Sequence, residues 1–310
     1  MIRMRDLQPD EVLVRGLSYI KKQTIRAFQV QKGKDQHLNF FRKHFGSYPY
    51  TISQMWSDIN NGFVASDKMP KECEILEAGF QMFLAAHHLL WAYPKNTSML
   101  ASTMDMARCR AEGEPIWRWV DRIFALLDYK IQWPEDINDD DAPYWALVVD
   151  CVDAKRNELK HPIFNLDTKW CSKKFNKPAM RFELATSVYE PRCIHAKKGE
   201  RGGKHDWTIF LEELDLKVNP NKRIHGDSGY NGQNGRNKVS VPSSTDSKEL
   251  AKFKSRARLR HETFNGKIKK FACTSSTFRH SVEKQDMSFR AVVVIIQYQL
   301  DNGEQTLFDV

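Results

Sequence analysis

The chain has 310 residues, 41% of them hydrophobic, so it can bury a sizeable core in one large domain or two smaller ones. No apolar run approaches the roughly 18 residues of a membrane span, and the first residues lack the apolar core of a signal peptide, so we expect an intracellular protein with no membrane segment. The net charge of +9 suits a polyanionic partner but does not distinguish nucleic acid from an acidic membrane surface.

The first 138 residues predict an all-α region with its own core. Apolar residues recur at three- and four-residue steps, and prolines mark helix starts and ends. Within this region, two short helical patterns flank Gly46 and Pro49 and form a candidate helix-turn-helix over 39–60. The second helix, 51–60, contains no Lys or Arg, which favours an ordinary helical hairpin over direct base reading. Helices are predicted over 10–28, 35–44, 71–91, 98–110 and 114–129.

An acidic stretch at 135–141 marks the change from the helical region to a second domain. Five of its seven residues are acidic, and Pro134 and Pro143 bound it, so we interpret it as a solvated linker. We therefore predict one region over 1–138 and a second domain over 139–310.

Two predicted strands of this second domain each end at an aspartate. The apolar, β-branched run 144–150 ends in Asp150, and the shorter run from Arg223 ends at the glycine-flanked Asp227. Between them, residues 179–188 alternate apolar and polar side chains and predict a half-exposed strand. Carboxylates delivered to one sheet edge would hold hard cations such as Mg²⁺ or Mn²⁺.

A long basic helix over 248–271 carries the third carboxylate, Glu262. The helix has an apolar stripe, and Glu262 lies beside it among cations and polar groups. Taken alone, Glu262 favours a surface ion pair with Arg258, because structural pairs outnumber catalytic acids.

These segments together resemble the PIF/Harbinger-type DDE transposases, also described as DDE superfamily endonucleases. Residues 148–150 are similar to the first signature of that family, 226–230 to the second, and 258–271 to the last. The interval of 35 residues between Asp227 and Glu262 is common in such enzymes. The resemblance covers most of residues 140–300, and its region before the catalytic core includes a helix-turn-helix like that over 39–60.

The resemblance implies an α/β fold with an RNase H-like mixed sheet flanked by helices. It assigns Asp150, Asp227 and Glu262 as catalytic metal ligands for cutting DNA phosphodiesters, with joining of the freed 3′-hydroxyl if transposition is retained. It also implies a nuclear protein in a eukaryote and a cytoplasmic one otherwise, a homo-oligomer, and a separate Myb-like DNA-binding partner.

Two positions leave the metal site open. Where related transposases have Gly and His after the first aspartate, this chain has Cys151 and Asp153, and Asp153 either adds a carboxylate or faces solvent. Asp206 begins a predicted helix, and either it caps that helix or it lies at the rim of the metal site, as the corresponding family residue does.

The predicted DNA contacts come from a concentration of positive charge. Residues 238–290 contain thirteen Lys or Arg against five Asp or Glu, which suits a phosphate backbone. Arg258, Lys267 and Lys269 are the candidate backbone contacts. Two alternatives stay open: a domesticated, catalytically inactive DNA-binding or scaffold protein, and an RNase H-like nuclease acting on RNA or hybrids.

Two further features are less specific. The run 291–300 predicts a buried strand by its local pattern, whereas the family resemblance makes it a closing helix packed on the sheet, which we follow. The six cysteines are not spaced as a zinc site, so reduced thiols are expected, with a cluster of Cys171, Cys193 and His195 as the alternative.

Overall fold

The structure is a computed structural model that describes residues 5–20, 34–65, 76–157, 167–231 and 238–304. It divides into two units. The first unit comprises 1–127, 271–273 and 287–304, and the second comprises 128–270, 274–286 and 305–310. The last helix therefore contributes residues to both units.

The N-terminal part of the first unit is helical, as predicted. The predicted segments 21–28 and 71–75 lie outside the described residues, and the single helix predicted over 98–110 is two shorter helices. The helices are α1 (Pro9–Tyr19), α2 (Lys34–Phe45), α3 (Pro49–Ala65), α4 (Leu76–Ala92), α5 (Thr97–Thr103), α6 (Arg108–Ala111), α7 (Glu114–Phe124) and α8 (Leu127–Lys130), the last of which crosses into the second unit.

Stacked aromatic side chains form the core of this unit. Trp56 of α3 packs edge-on against Phe80 of α4, with ring centroids 5.1 Å apart, and is parallel to Trp119 of α7 at 5.9 Å. All three side chains are buried. Large rings bury 150–250 Å² each, so a few of them can hold several short helices together.

The turn between α2 and α3 is tight. Gly46 adopts a φ of 76°, and a side chain there would collide with the ring of Trp91. Most of α3 is buried, including Ile52 and Met55, while Gln54 is exposed. Burial of this helix supports the ordinary hairpin over a helix that presents side chains to DNA bases.

The second unit contains a mixed sheet. Its described strands are β1 (Trp145–Lys155), β2 (Cys171–Ser172), β3 (Lys177–Ser187), β4 (Cys193–Ala196), β5 (Glu200–Arg201), β6 (Arg223–His225) and β7 (Val239–Ser240). The order is β2-β3-β1-β6-β7, and β4 and β5 also pair with β3. β3 runs antiparallel to β1, whereas β6 is parallel to β1 and β7 is parallel to β6.

Two predictions about the central strands were wrong. β1 does not end at Asp150 but continues to Lys155, because β3 pairs with it along this whole length. β3 is not half exposed: its polar Glu183 and Thr186 are buried along with its apolar residues. Helices on both faces of the sheet account for this burial.

The two faces of β1 pack against different helices. Leu147 and Val149 belong to a core with Phe210 of α9 (Asp206–Glu212) and Leu214 of α10 (Leu214–Lys217). Val148, on the opposite face, packs in a cluster with residues of α11 (Lys248–Ile268). Side chains alternate across a strand, so α9 and α11 flank opposite faces of the sheet.

The closing segments are helical. After the short α12 (Ala272–Ser275), α13 (Val282–Asp301) confirms the helix predicted over 291–300. Its distal end packs within the first unit: Tyr298 donates to Asp58 at 2.6 Å, and Gln299 donates to the carbonyl of Gly46 at 2.9 Å. Among the described helices, none has the length and apolarity needed to span a membrane.

Candidate metal centre on the mixed sheet

Strand register brings Asp150 and Asp227 to equivalent positions. In the parallel ladder, Val148 of β1 pairs with His225 of β6, and each aspartate follows two residues later. Neighbouring strands lie about 4.8 Å apart, so the two carboxylates come close where β6 ends. Their charges interact, because Asp227 raises the pKa of Asp150.

Asp206 joins them from the start of α9. It is not the helix cap: the ring of His205 caps α9, with Nδ1 accepting from the backbone N–H of Trp207 at 3.3 Å. The Asp206 carboxylate instead accepts from Arg181 Nη1 at 2.9 Å. Burial is the main cause that raises the pKa of Asp206, and the negative charge of Asp227 raises it further. The Arg181 guanidinium opposes this shift.

Gly229 allows Asp206 and Asp227 to approach each other. A Cβ on Gly229 would lie 2.8 Å from Asp206 Oδ2 and 3.0 Å from Asp227 Oδ1, so both oxygens border one small space. Asp227 Oδ1 also accepts from the Gly229 backbone N–H at 2.8 Å. Gly229 is therefore needed because the two carboxylates approach its backbone closely, and not because of a special backbone angle.

The Asp150 carboxylate contacts both its own strand and α11. Its two oxygens accept from the backbone N–H of Cys151 at 2.7 Å and from Asn265 Nδ2 of α11 at 3.0 Å. Burial raises its pKa to about 6, and the negative charges of Asp227 and Asp206 contribute to this shift. The site thus holds one carboxyl group that readily exchanges a proton near neutral pH.

Arg181 partly neutralises the site. Its Nε and Nη2 donate to the two oxygens of Asp153 at 2.7 and 3.0 Å, while Nη1 donates to Asp206. The Asp153 side chain is only 3% exposed, and Ser172 also donates to it. Asp153 therefore neither faces solvent nor offers a free carboxylate to a cation; it is the partner of an internal arginine.

Glu262 points to a different partner in this conformation. Its carboxylate accepts from Arg258 Nε at 2.8 Å, and its side chain is 51% exposed. Asn265, three residues further along the same helix, is the residue that contacts Asp150. Residues three apart on a helix are neighbours at about 5–6 Å between Cβ atoms, so α11 passes beside the aspartates with Glu262 one step away.

The structure thus brings Asp150, Asp206 and Asp227 together and leaves Glu262 in an ion pair. Over the described ranges, no set of three or more His, Cys, Asp or Glu side chains is close enough to hold a metal ion as it stands. In the alternative cysteine cluster, Cys193 is buried and its thiol donates to the carbonyl of His195 at 3.3 Å.

The three candidate DNA contacts differ in exposure. Lys269 is exposed at the end of α11, Arg258 is half exposed and paired with Glu262, and Lys267 is buried at 5% exposure. A buried ammonium group does not present its charge to a phosphate backbone. Lys269 and Arg258 are therefore the better placed of the three.

Sequence reasoning missed Arg181 and Asn265. Arg181 lies in an alternating segment whose polar residues were expected to face solvent, and only the position of α9 shows that it faces carboxylates. Asn265 shares a helix face with Glu262, but no local signal predicts that it, and not Glu262, reaches Asp150.

Comparison with protein-family models, curated proteins and solved structures gave no match to this chain. The fold and the site define an α/β protein with a mixed sheet and a cluster of interacting carboxylates.

Proposed function

We propose that the chain is a metal-dependent DNA endonuclease of the DDE type, in which Asp150, Asp227 and Glu262 are the catalytic acids and Asp206 lies at the rim of the metal site. The observation that supports this best is the meeting of Asp150, Asp206 and Asp227 where β6 ends, with the pKa of Asp150 raised to about 6. Carboxylates that repel one another in a partly buried place are a costly arrangement unless a cation compensates them.

The donor set fits Mg²⁺ or Mn²⁺. All the convergent ligands are carboxylate oxygens, which hard cations prefer. The Cys151 thiol also hydrogen-bonds Asp206, but burial raises the pKa of this thiol well above its usual range, so it stays protonated and does not compete as a thiolate ligand. A cation here would take the place of the proton on Asp150. When bound, such ions activate an attacking water or 3′-hydroxyl and stabilise the leaving oxygen of a phosphodiester.

Completing the site requires Glu262 to exchange Arg258 for a cation. The pair is exposed, and exposed pairs at this helical spacing contribute only about 0.3–0.5 kcal/mol, so its loss is a small cost. The exchange would also release the Arg258 guanidinium, whose flat donor array matches a phosphate group. Phosphate binding at Arg258 and metal binding at Glu262 would therefore favour each other.

The surrounding fold supports the proposal at a coarser level. A mixed sheet covered by helices on both faces, with acids on neighbouring strands, is what an RNase H-like domain requires. DNA as substrate, strand transfer to a target, a Myb-like partner and a nuclear location belong to the same proposal and follow from the family resemblance.

The ion pair between Arg258 and Glu262 favours one second candidate. A domesticated chain that binds DNA without cutting it would keep the basic surface of α11 and leave Glu262 as a structural partner. Such a protein would bind DNA equally well with and without divalent ions.

Nicking of supercoiled plasmid separates the two candidates. With Mg²⁺ or Mn²⁺, the proposal predicts nicking that falls by at least about 100-fold in Asp227→Asn and in Glu262→Gln. The amide oxygen that Asp227→Asn introduces can still accept from the Gly229 N–H, so the local turn is preserved. Glu114→Gln, an exposed acid of α7, is the matched control and should nick normally. Activity that survives both site substitutions, or no activity in the unaltered chain with either ion, would overturn the proposal.

A further inference from the structure

A groove of about 370 Å³ lies beside α11, on the same unit as the acidic site but lined by other residues. Its apolar walls come from Val188, Phe253 and Ala257, with the ring of Tyr189 at the rim. Tyr189 is 54% exposed. The remaining lining residues are Glu249, Lys252, Arg256 and Arg260.

The cations of α11 fall into two groups. Lys254 is buried in an ion pair with Asp246 at 2.9 Å, and Arg258 pairs with Glu262 at 2.8 Å. Lys252 and Arg256 are exposed, and neither forms an ion pair within the part of the chain that the structure describes. The helix thus neutralises some of its cations and presents others to the groove.

The groove cations form a stripe of one sign. Lys252, Arg256 and Arg260 follow one another at four-residue steps, which places them on one side of the helix. Burial lowers the pKa of Arg260, and the positive charge of Arg256 lowers it further, so the two guanidiniums are close enough to repel. Arg260 Nη1 donates to the carbonyl of Val188 at 2.7 Å, which holds its charge at the groove wall. Glu249 is the single acid among the lining residues.

Like charges held together on a helix are destabilising, and a polyanion would relieve the repulsion. The nine residues from Lys252 to Arg260 span about 12 Å, so the three cations lie about 6 Å apart along the helix axis. A plain basic patch would suit any phosphate backbone. The exposed Tyr189 ring and the apolar walls add a surface for an unstacked base, which a closed duplex does not offer.

We propose that this groove binds a single strand of nucleic acid, with phosphates on Lys252, Arg256 and Arg260 and a base against Tyr189. The proposal rests on the proposed function for the identity of that strand, which is the unpaired DNA next to the cut. It extends that function by giving the protein a place for melted DNA outside the acidic site.

The test is fluorescence anisotropy with labelled oligothymidine and with a duplex of equal length, both in EDTA, so that binding is measured without cleavage. Lys252→Glu/Arg256→Glu should weaken oligothymidine binding at least about ten-fold and reduce the slope of log Kd against log salt by about two. Lys95→Glu, an exposed lysine of the helical unit, is the control for the change in charge and should alter binding less than about two-fold. Tyr189→Ala should weaken binding about ten-fold, and Tyr189→Phe should not.

Normal oligothymidine binding by the double charge variant would overturn the proposal that the groove binds a single strand. So would equal losses for single strand and duplex with no effect of Tyr189→Ala, or tighter and equally groove-dependent binding to phosphatidylserine vesicles. Plasmid nicking by the same preparations keeps the two proposals apart. If the double charge variant loses strand binding but the unaltered chain never nicks, the groove is supported and the nuclease is contradicted. If the double charge variant binds normally and the unaltered chain nicks, the nuclease is supported and the groove is contradicted.

Discussion

At the scale of single residues, Asp150 determines how the acidic site responds to pH. Burial and two neighbouring carboxylates raise its pKa from 3.8 to about 6 in the folded chain. The folded state therefore binds this proton more tightly than the unfolded state, and without a cation its contribution to stability falls as the pH rises through this interval.

Asp150→Asn removes this pH-dependent cost. In EDTA at pH 7.5, we expect the free energy of unfolding to increase by about 2–3 kcal/mol, and at pH 4 to change little. Urea denaturation at the two pH values measures the difference. The exposed Asp121→Asn should show no such dependence. A variant less stable than the unaltered chain at pH 7.5 would contradict the electrostatic account of Asp150.

Glu183 is a second buried acid, on β3 and outside the proposed metal site. It is fully buried, and neither carboxylate oxygen has a hydrogen-bond partner among the described protein atoms. The nearest imidazole nitrogen, Nε2 of His195, is 3.9 Å away. Burial raises the pKa of Glu183 to about 8, and Lys197 opposes the shift. The side chain is thus neutral in the folded protein at pH 7.

The stabilising effect of Glu183→Gln should therefore grow as the pH rises above about 4.5 and be largest in alkaline solution. The stability of the unaltered chain should fall as the pH rises from about 4.5 to about 8, because the unfolded state loses this proton first. The glutamine variant should be more stable at pH 9 by about 2–4 kcal/mol and nearly unchanged at pH 5. Thermal denaturation at both pH values provides the measurement, and an equal effect of the substitution at pH 5 and pH 9 would argue against it.

At the scale of elements, α11 joins the fold to the proposed chemistry. Ser247 caps it by accepting from the backbone N–H of Leu250 at 3.2 Å, and the buried Phe264 and Ile268 fix its orientation on the sheet. That orientation brings Asn265 to Asp150 and leaves Glu262 half exposed. The packed stripe therefore decides which polar residues reach the aspartates.

A matched pair of substitutions tests whether Glu262 is more than a surface partner. Glu262→Gln and Arg258→Gln each break the same exposed ion pair, so each should change the free energy of unfolding by less than about 0.5 kcal/mol. Plasmid nicking should be lost in Glu262→Gln and only weakened in Arg258→Gln, because the first substitution removes a metal ligand and the second removes one phosphate contact. Equal nicking by both variants would mean that the pair is only structural.

Local sequence signals predicted individual helices and strands better than they predicted which of these elements pair or pack together. The apolar stripe predicted α11, and the runs that lead to Asp150 and Asp227 predicted two strands, which the structure pairs as β1 and β6. β1 continues beyond Asp150 because it pairs with β3. This pairing is non-local, and the charged Asp150 in the apolar run indicated instead that the strand ended there. The run 291–300 is β-branched but helical, because packing overrides a weak local preference.

The site was predictable only in part for the same reason. Asp150 and Asp227 each follow a predicted strand, and the register of β1 and β6 makes their positions equivalent. Their proximity could therefore be predicted from the sequence. The roles of Arg181, the burial of Lys267 and the choice of Asn265 over Glu262 depend on helix positions that no spacing specifies.

At the scale of the whole molecule, the positive charge of the chain is concentrated in one segment. Residues 238–290 hold an excess of eight positive charges out of the net +9 of the chain. Paired acids and basic surfaces serve different parts of one substrate in the proposed enzyme: cations at the aspartates act on a single phosphodiester, and α11 binds the flanking backbone. A protein that binds no metal would keep only the binding of the DNA backbone by α11.

Binding of Mn²⁺, followed by electron paramagnetic resonance, tests this account most directly. We expect the unaltered chain to bind Mn²⁺ at pH 7.5 and more weakly at pH 5.5, where protons occupy Asp150. Asp227→Asn should weaken binding by about ten-fold or more, and Glu114→Gln should leave it unchanged. A chain that leaves millimolar Mn²⁺ free in solution, or an Asp227→Asn variant that binds it as well as the unaltered protein, would contradict a metal centre at these carboxylates.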